Sequence, residues 1–134
     1  MFGPNSAPNS LKRFLRAGPR KQLYFDPSEV KACIVTCGGL CPGLNVVVRE
    51  VFNCLYANYG IKEIYGVQYG YKGFYTYDWR QLTPEDVQPI HHMGGTMLGS
   101  SRGGFNLEKI LEAITERGIN QVNFVQKRIY LEII

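Results

Sequence analysis

The sequence predicts an α/β fold: a partial Rossmann-like parallel sheet with flanking helices. Three observations carry that prediction. The apolar, β-branched run Ala32–Thr36 suits a strand buried on both faces. It stops at Gly38-Gly39, and Leu44, Val47, Val48, Val51, Phe52 and Leu55 then recur at helical spacing. Glu63–Val67 (EIYGV) reads as a second strand. Residues 32–67 therefore form a strand, crossover helix and strand, a unit that gives a parallel pair with a right-handed connection.

The remaining elements follow in chain order. The first helix is expected to end at Gly60, which can take the left-handed cap. Gln68–Tyr77 (QYGYKGFYTY), rich in glycine and tyrosine, reads as a loop. Thr83-Pro84-Glu85-Asp86 is a helix start: a capping threonine, a proline suited to the first turn, and acids at the positive end of the dipole. A second glycine-rich segment spans Gly94 to Gly104. Asn106 then caps an amphipathic helix expected to bury Leu107, Ile110, Leu111 and Ile114, with Gly118 closing it. Ile119–Val125 (INQVNFV) resembles a third strand.

Composition bounds the class. At 134 residues, 45% hydrophobic and 19% charged, the chain is an ordinary globular domain or part of one. No apolar run approaches the roughly 18 residues of a membrane span, and no secretory signal is expected near Met1. The net charge of +4 is uneven. Lys12, Arg13, Arg16, Arg20 and Lys21 crowd the start of the chain, and the rest is nearly neutral. Residues 1–23 read as a flexible basic arm, because Gly, Pro, Asn and Ser dominate it. An organelle-targeting arm is the lesser reading. Nucleic-acid binding would rest on this arm alone and is not expected. Cys33, Cys37, Cys41 and Cys54 have no usual metal-ligand spacing, even with His91 and His92 nearby, so they read as reduced thiols of a cytosolic protein.

The chemistry lies in the glycine loops. Small residues let the backbone approach a ligand, and amides at the start of the following helix face the same space. Gly38 to Gly43 imitates a P-loop, but Leu44-Asn45 stand where Lys-Ser/Thr would be. A phosphate there needs charge from elsewhere. Arg102, among Ser100, Ser101, Gly103 and Gly104, can bring a planar fork onto a phosphate. The pattern alone leaves it equally a solvated arginine in a turn. Lys72 is a secondary candidate.

These residues also carry a resemblance. GGLCPGLN (Gly38–Asn45), GYKGFY (Gly70–Tyr75), GGTMLGSSRGG (Gly94–Gly104) and ERGIN (Glu116–Asn120) occur in that order. With RAGPR (Arg16–Arg20) and YFDPSEVKACIVT (Tyr24–Thr36), they resemble the N-terminal part of the phosphofructokinase family, especially plant ATP-dependent 6-phosphofructokinases. The resemblance implies transfer of the γ-phosphoryl group of ATP, with Mg2+, to the 1-hydroxyl of fructose 6-phosphate in cytosolic glycolysis, usually by homotetramers. It places Gly38 at the nucleotide phosphates, and Arg102 with Gly103 on the nucleotide. Tyr71 is implied as a lining residue. The Leu40-Cys41 version of the first loop favours the ATP branch over the pyrophosphate-dependent one.

The resemblance stops near Val125. The family continues with a Gly-Gly-Asp-Gly-Thr loop holding the magnesium aspartate, and later with the catalytic base. Here Gln126–Ile134 (QKRIYLEII) follows as a divergent tail. The expectation is a domain over residues 24–125, in a truncated form that does not phosphorylate sugar alone. The alternative is a non-catalytic module that associates with full-length phosphofructokinase subunits.

Overall fold

A computed structural model describes residues 19–126 and 131–133. A five-stranded mixed sheet organises it. The strands are β1 (Lys31–Cys37), β2 (Glu63–Val67), β3 (Arg80–Gln81), β4 (Gln121–Gln126) and β5 (Leu131–Ile133), in the spatial order β3-β2-β1-β4-β5. The central trio is parallel, as the strand–helix–strand reading requires: Lys31 pairs with Glu63, and Ala32 with Gln121. Both outer strands are antiparallel additions, β3 beside β2 and β5 beside β4. The expected parallel sheet is thus present, edged on each side by a short strand.

Alternation along β1 divides the core. Ala32 and Ile34 face a cluster with Val48, Phe52 and Leu55 of the first helical segment. Cys33, Val35 and Cys37 face the other side, with Phe74, Ile110 and Ala113. Residues 32 to 35 are fully buried, so β1 is covered on both faces. Ile34 and Val35 each contribute about 1.5–3 kcal/mol relative to exposure.

Helix α1 (Leu44–Asn53) supplies the first layer. Its last turns widen over Cys54–Asn58, where the Tyr59 N–H reaches the Cys54 carbonyl at 3.2 Å, and Gly60 follows at φ +76°. The tyrosine-rich segment is not all loop. It folds into a 3-10 turn at Gly70–Lys72 and the short helix α2 (Gly73–Thr76), where Phe74 is fully buried. Helix α3 (Pro84–Val87) starts as expected, with the Thr83 and Asp86 side chains accepting from each other's backbone N–H at 3.3 and 3.0 Å.

Helix α4 (Leu107–Glu116) covers the second face, capped by Asn106 accepting from the Lys109 N–H at 3.1 Å. The buried stripe is shifted from the expected one. Ile110 and Ala113 are buried, whereas Leu107 and Leu111 are 56% and 52% exposed. The spacing fixed an apolar side but not which of its edges the sheet covers. Asn120 anchors the opposite end of β1: its amide accepts from the Lys31 N–H at 2.9 Å and donates to the Glu29 carbonyl at 2.8 Å. The expected basic arm falls largely on residues 1–18, outside the described residues. Of the divergent tail, Gln126 closes β4 and Leu131–Ile133 form β5.

Candidate functional site: a three-loop anion seat

The connection from β1 runs through α1 to β2 on one side of the sheet, and β4 lies on the other side of β1. The carboxyl end of β1 is therefore the switch point of this sheet, where open α/β folds hold their ligands. The first glycine loop leaves β1 at that point.

Gly38 has φ +85°, a conformation that only glycine adopts freely. Its N–H donates to the Ser101 carbonyl at 3.0 Å, and its carbonyl accepts from Ser100 Oγ at 2.5 Å. Gly38 thus welds the first loop to the second, and its own amide is occupied. Among the described residues, no hydrogen bond engages the amides of Gly39, Leu40 or Cys41. Helix α1 begins after Gly43 with no side chain capping it. Its first N–H groups carry the partial positive charge of a helix start.

Arg102 lies against Gly39. A Cβ at Gly39 would stand 3.2 Å from Arg102 Nη2 and 3.7 Å from Nε. The missing side chain is what lets the guanidinium approach the backbone. Arg102 is exposed, and among the described residues no carboxylate pairs with it. Gly103 beside it is open, with nothing within 4 Å of where a Cβ would be.

The arginine loop is tied down along its length. Asn45 holds Met93 and Met97. Thr36 Oγ1 donates to the Gly99 carbonyl and lies 3.1 Å from Thr96 Oγ1. The tyrosine-rich segment closes the third side. The Tyr69 N–H donates to the Leu98 carbonyl at 2.8 Å, and Ser101 Oγ donates to the Tyr69 carbonyl at 2.7 Å. Tyr69 has φ +59°, uncommon for a bulky residue, and the neighbouring loop over-determines it.

Tyr71 and Lys72 sit differently from Arg102. The half-buried Tyr71 ring packs edge-on to Phe105 at 5.2 Å and lies 5.9 Å from Phe124. Tyr71 also hydrogen-bonds the Cys37 thiol, which burial pushes up to about 12. Burial raises the Cys33 thiol as well. Lys72 lies on Gly104, where a Cβ would come within 2.3 Å of its Cγ, so the lysine stem borders the arginine loop.

The site therefore presents a helix start, together with amides and a guanidinium that have no partner among the described residues. All three stabilise an anion. Neither glycine loop contains a carboxylate. Among the described residues, no three His, Cys, Asp or Glu side chains group to hold a metal ion.

The comparisons decide the family. The model of the Phosphofructokinase family matches residues 31–125. The chain belongs to the phosphofructokinase family. ATP-dependent 6-phosphofructokinase 7 of Arabidopsis thaliana is 54% identical over 112 residues, covering 84% of this chain and 23% of that protein. ATP-dependent 6-phosphofructokinase of Borreliella burgdorferi is 44% identical over 110 residues, covering 80% and 25%. The chain thus spans about a quarter of the length of the curated phosphofructokinases it matches. Pichia pastoris phosphofructokinase in the T-state superposes with TM-score 0.63 at 27% identity, over 71% of this chain and 11% of that one. A pyrophosphate-dependent phosphofructokinase of Marinobacter aquaeolei gives the same TM-score at 17% identity, which speaks for the phosphofructokinase fold alone.

Sequence reasoning paired the two glycine loops but missed their fasteners. Asn45 stands in the sequence as a departure from the P-loop pattern and as the last residue of GGLCPGLN, neither of which shows its buried role. A better signal was its position, since residues 45, 48 and 52 share one helix face and the other two are apolar. A polar residue on a buried face needs specific partners. Thr36, the polar end of an apolar strand, gave the same signal.

Proposed function

We propose that this chain supplies the nucleotide-phosphate seat of an ATP-dependent 6-phosphofructokinase. The observation that carries the proposal is the Arg102 guanidinium held against Gly39 at the switch point of the sheet. Gly38 fastens the two loops. The amides of Gly39 to Cys41 and the start of α1 receive phosphate oxygens. Arg102 supplies the charge that a P-loop draws from its lysine, and Gly103 leaves room beside it. Tyr71 supports the seat from the core side. The names of the plant and bacterial relatives favour ATP over pyrophosphate as donor and fructose 6-phosphate as acceptor.

Magnesium fits as a companion of the nucleotide. The seat consists of hydrogen-bond donors and a cation, which suit phosphate and repel a bare metal ion. The cytosol is the proposed compartment. One relative, 54% identical, is chloroplastic by name, so fractionation of the native protein is the relevant check. No described helix is long and apolar enough to cross a membrane. Nothing in the fold or in the comparisons favours the interaction-module reading.

Calorimetric titration of the chain with ATP and Mg2+ tests the proposal. Replacing Arg102 with alanine removes charge-assisted hydrogen bonds and should weaken binding by about 10- to 100-fold. The side chain is exposed, so thermal stability should stay within about 0.5 kcal/mol. Equal affinity of both proteins would remove Arg102 from the seat.

A further inference from the structure

We infer that Asn45 is a positioning residue that sets the register between the start of α1 and the arginine loop. The inference rests on the nucleotide reading above. Asn45 is only 2% exposed, in the first turn of α1. Its Nδ2 donates to the Met93 carbonyl at 3.0 Å, and its Oδ1 accepts from the Met97 N–H at 2.8 Å. One side chain therefore grips both ends of the segment that opens the arginine loop. A carboxylate in its place could only accept, and an alkyl group could do neither.

The grip continues toward the arginine. Beyond Met97, the Leu98 carbonyl accepts from Tyr69, the Gly99 carbonyl from Thr36, and the Ser101 carbonyl from Gly38. Arg102 then meets Gly39. Of these fasteners, Asn45 alone belongs to α1, the helix whose first amides form the other half of the seat. The phosphate must meet those amides and the guanidinium together, and misplacement by an ångström is costly where charge is held in fixed geometry. Asn45 joins the two halves without touching the ligand.

Energetic coupling separates this role from a purely structural one. ATP affinity is measured by calorimetry on the full chain for the wild type, Asn45→Asp, Arg102→Ala and the double variant. Asn45→Asp keeps the acceptor for Met97 and opposes the Met93 carbonyl. It should weaken ATP binding by about tenfold when Arg102 is present, and by less than about twofold in the Arg102→Ala background. Equal losses in both backgrounds would overturn the inference.

If Asn45→Asp does not fold, amide hydrogen exchange on the wild type and Arg102→Ala decides. Bound ATP should slow exchange of the Met97 N–H and the Asn45 side-chain amide in the wild type, and not in Arg102→Ala, because coupling is reciprocal. Unchanged exchange in the ATP-bound wild type would overturn the inference. A folded wild type that does not bind ATP removes the nucleotide reading and this inference together. Binding that depends on Arg102 but shows no coupling to Asn45 leaves the reading standing and removes the inference alone.

Discussion

At Gly39 the absence of one carbon decides what the loop can hold. Arg102 Nη2 would lie 3.2 Å from a Cβ there, closer than a relaxed contact. The backbone of Gly39 is not left-handed, so alanine fits its conformation. The obstacle is the guanidinium, the far end of a flexible side chain, which can swing away at little cost. Gly39→Ala should therefore leave stability within about 0.5 kcal/mol of the wild type. It should nevertheless weaken ATP binding by roughly threefold to tenfold, because the displaced arginine no longer meets the amides. Calorimetry and a thermal melt on the same sample check both halves. The sequence showed the ingredients here, two glycines and an arginine 63 positions apart in number, but not their meeting. That meeting depends on Ser100, Ser101 and Thr36 hydroxyls finding carbonyls in other loops. Such bonds leave no periodic trace in a chain.

Among the elements, the short helix α2 shows how close packing replaces length. Four residues cannot sustain a helix by propensity. Phe74 holds it, fully buried, with its ring edge-on to Trp79 at 5.3 Å. Trp79 Nε1 donates back to the Gly73 carbonyl at 3.2 Å. A Cβ at Gly73 would fall 1.8 Å from the Gln68 carbonyl oxygen, which is backbone and cannot step aside. Gly73→Ala should cost about 3 kcal/mol, read as a lower denaturant midpoint with the slope unchanged. Elements with strong periodicity or caps were legible beforehand: β1, α1, β2 and the starts of α3 and α4. Residues 68–77 were not, because tyrosine and glycine carry no period and the fold there comes from tertiary packing. In α4 the period was legible and the buried edge was not, since Leu107 and Leu111 differ from Ile110 only in what lies opposite them.

Over the whole molecule, two features lie at opposite ends of the sheet. The three glycine-bearing loops crowd the carboxyl ends of the parallel strands. At the amino ends, an apolar groove of about 490 Å³ opens between Leu23, Tyr24, Val51, Leu55 and Val122. The groove is lined mostly by apolar side chains, with Arg20 at its edge. The loops set backbone amides and the Arg102 guanidinium side by side. The sheet order was partly legible, because a strand–helix–strand unit forces a parallel pair. The two antiparallel edges were not, being only two and three residues long.

The place of the phosphate is the central claim, and a backbone-amide NMR titration of the labelled chain with ATP and Mg2+ tests it most directly. The account predicts the largest shifts at Gly39, Leu40, Cys41 and the first turn of α1, together with the Arg102 side-chain Nε–H. Shifts confined to the groove around Leu23, Tyr59 and Asn120, with the glycine loops and Arg102 unmoved, would contradict it.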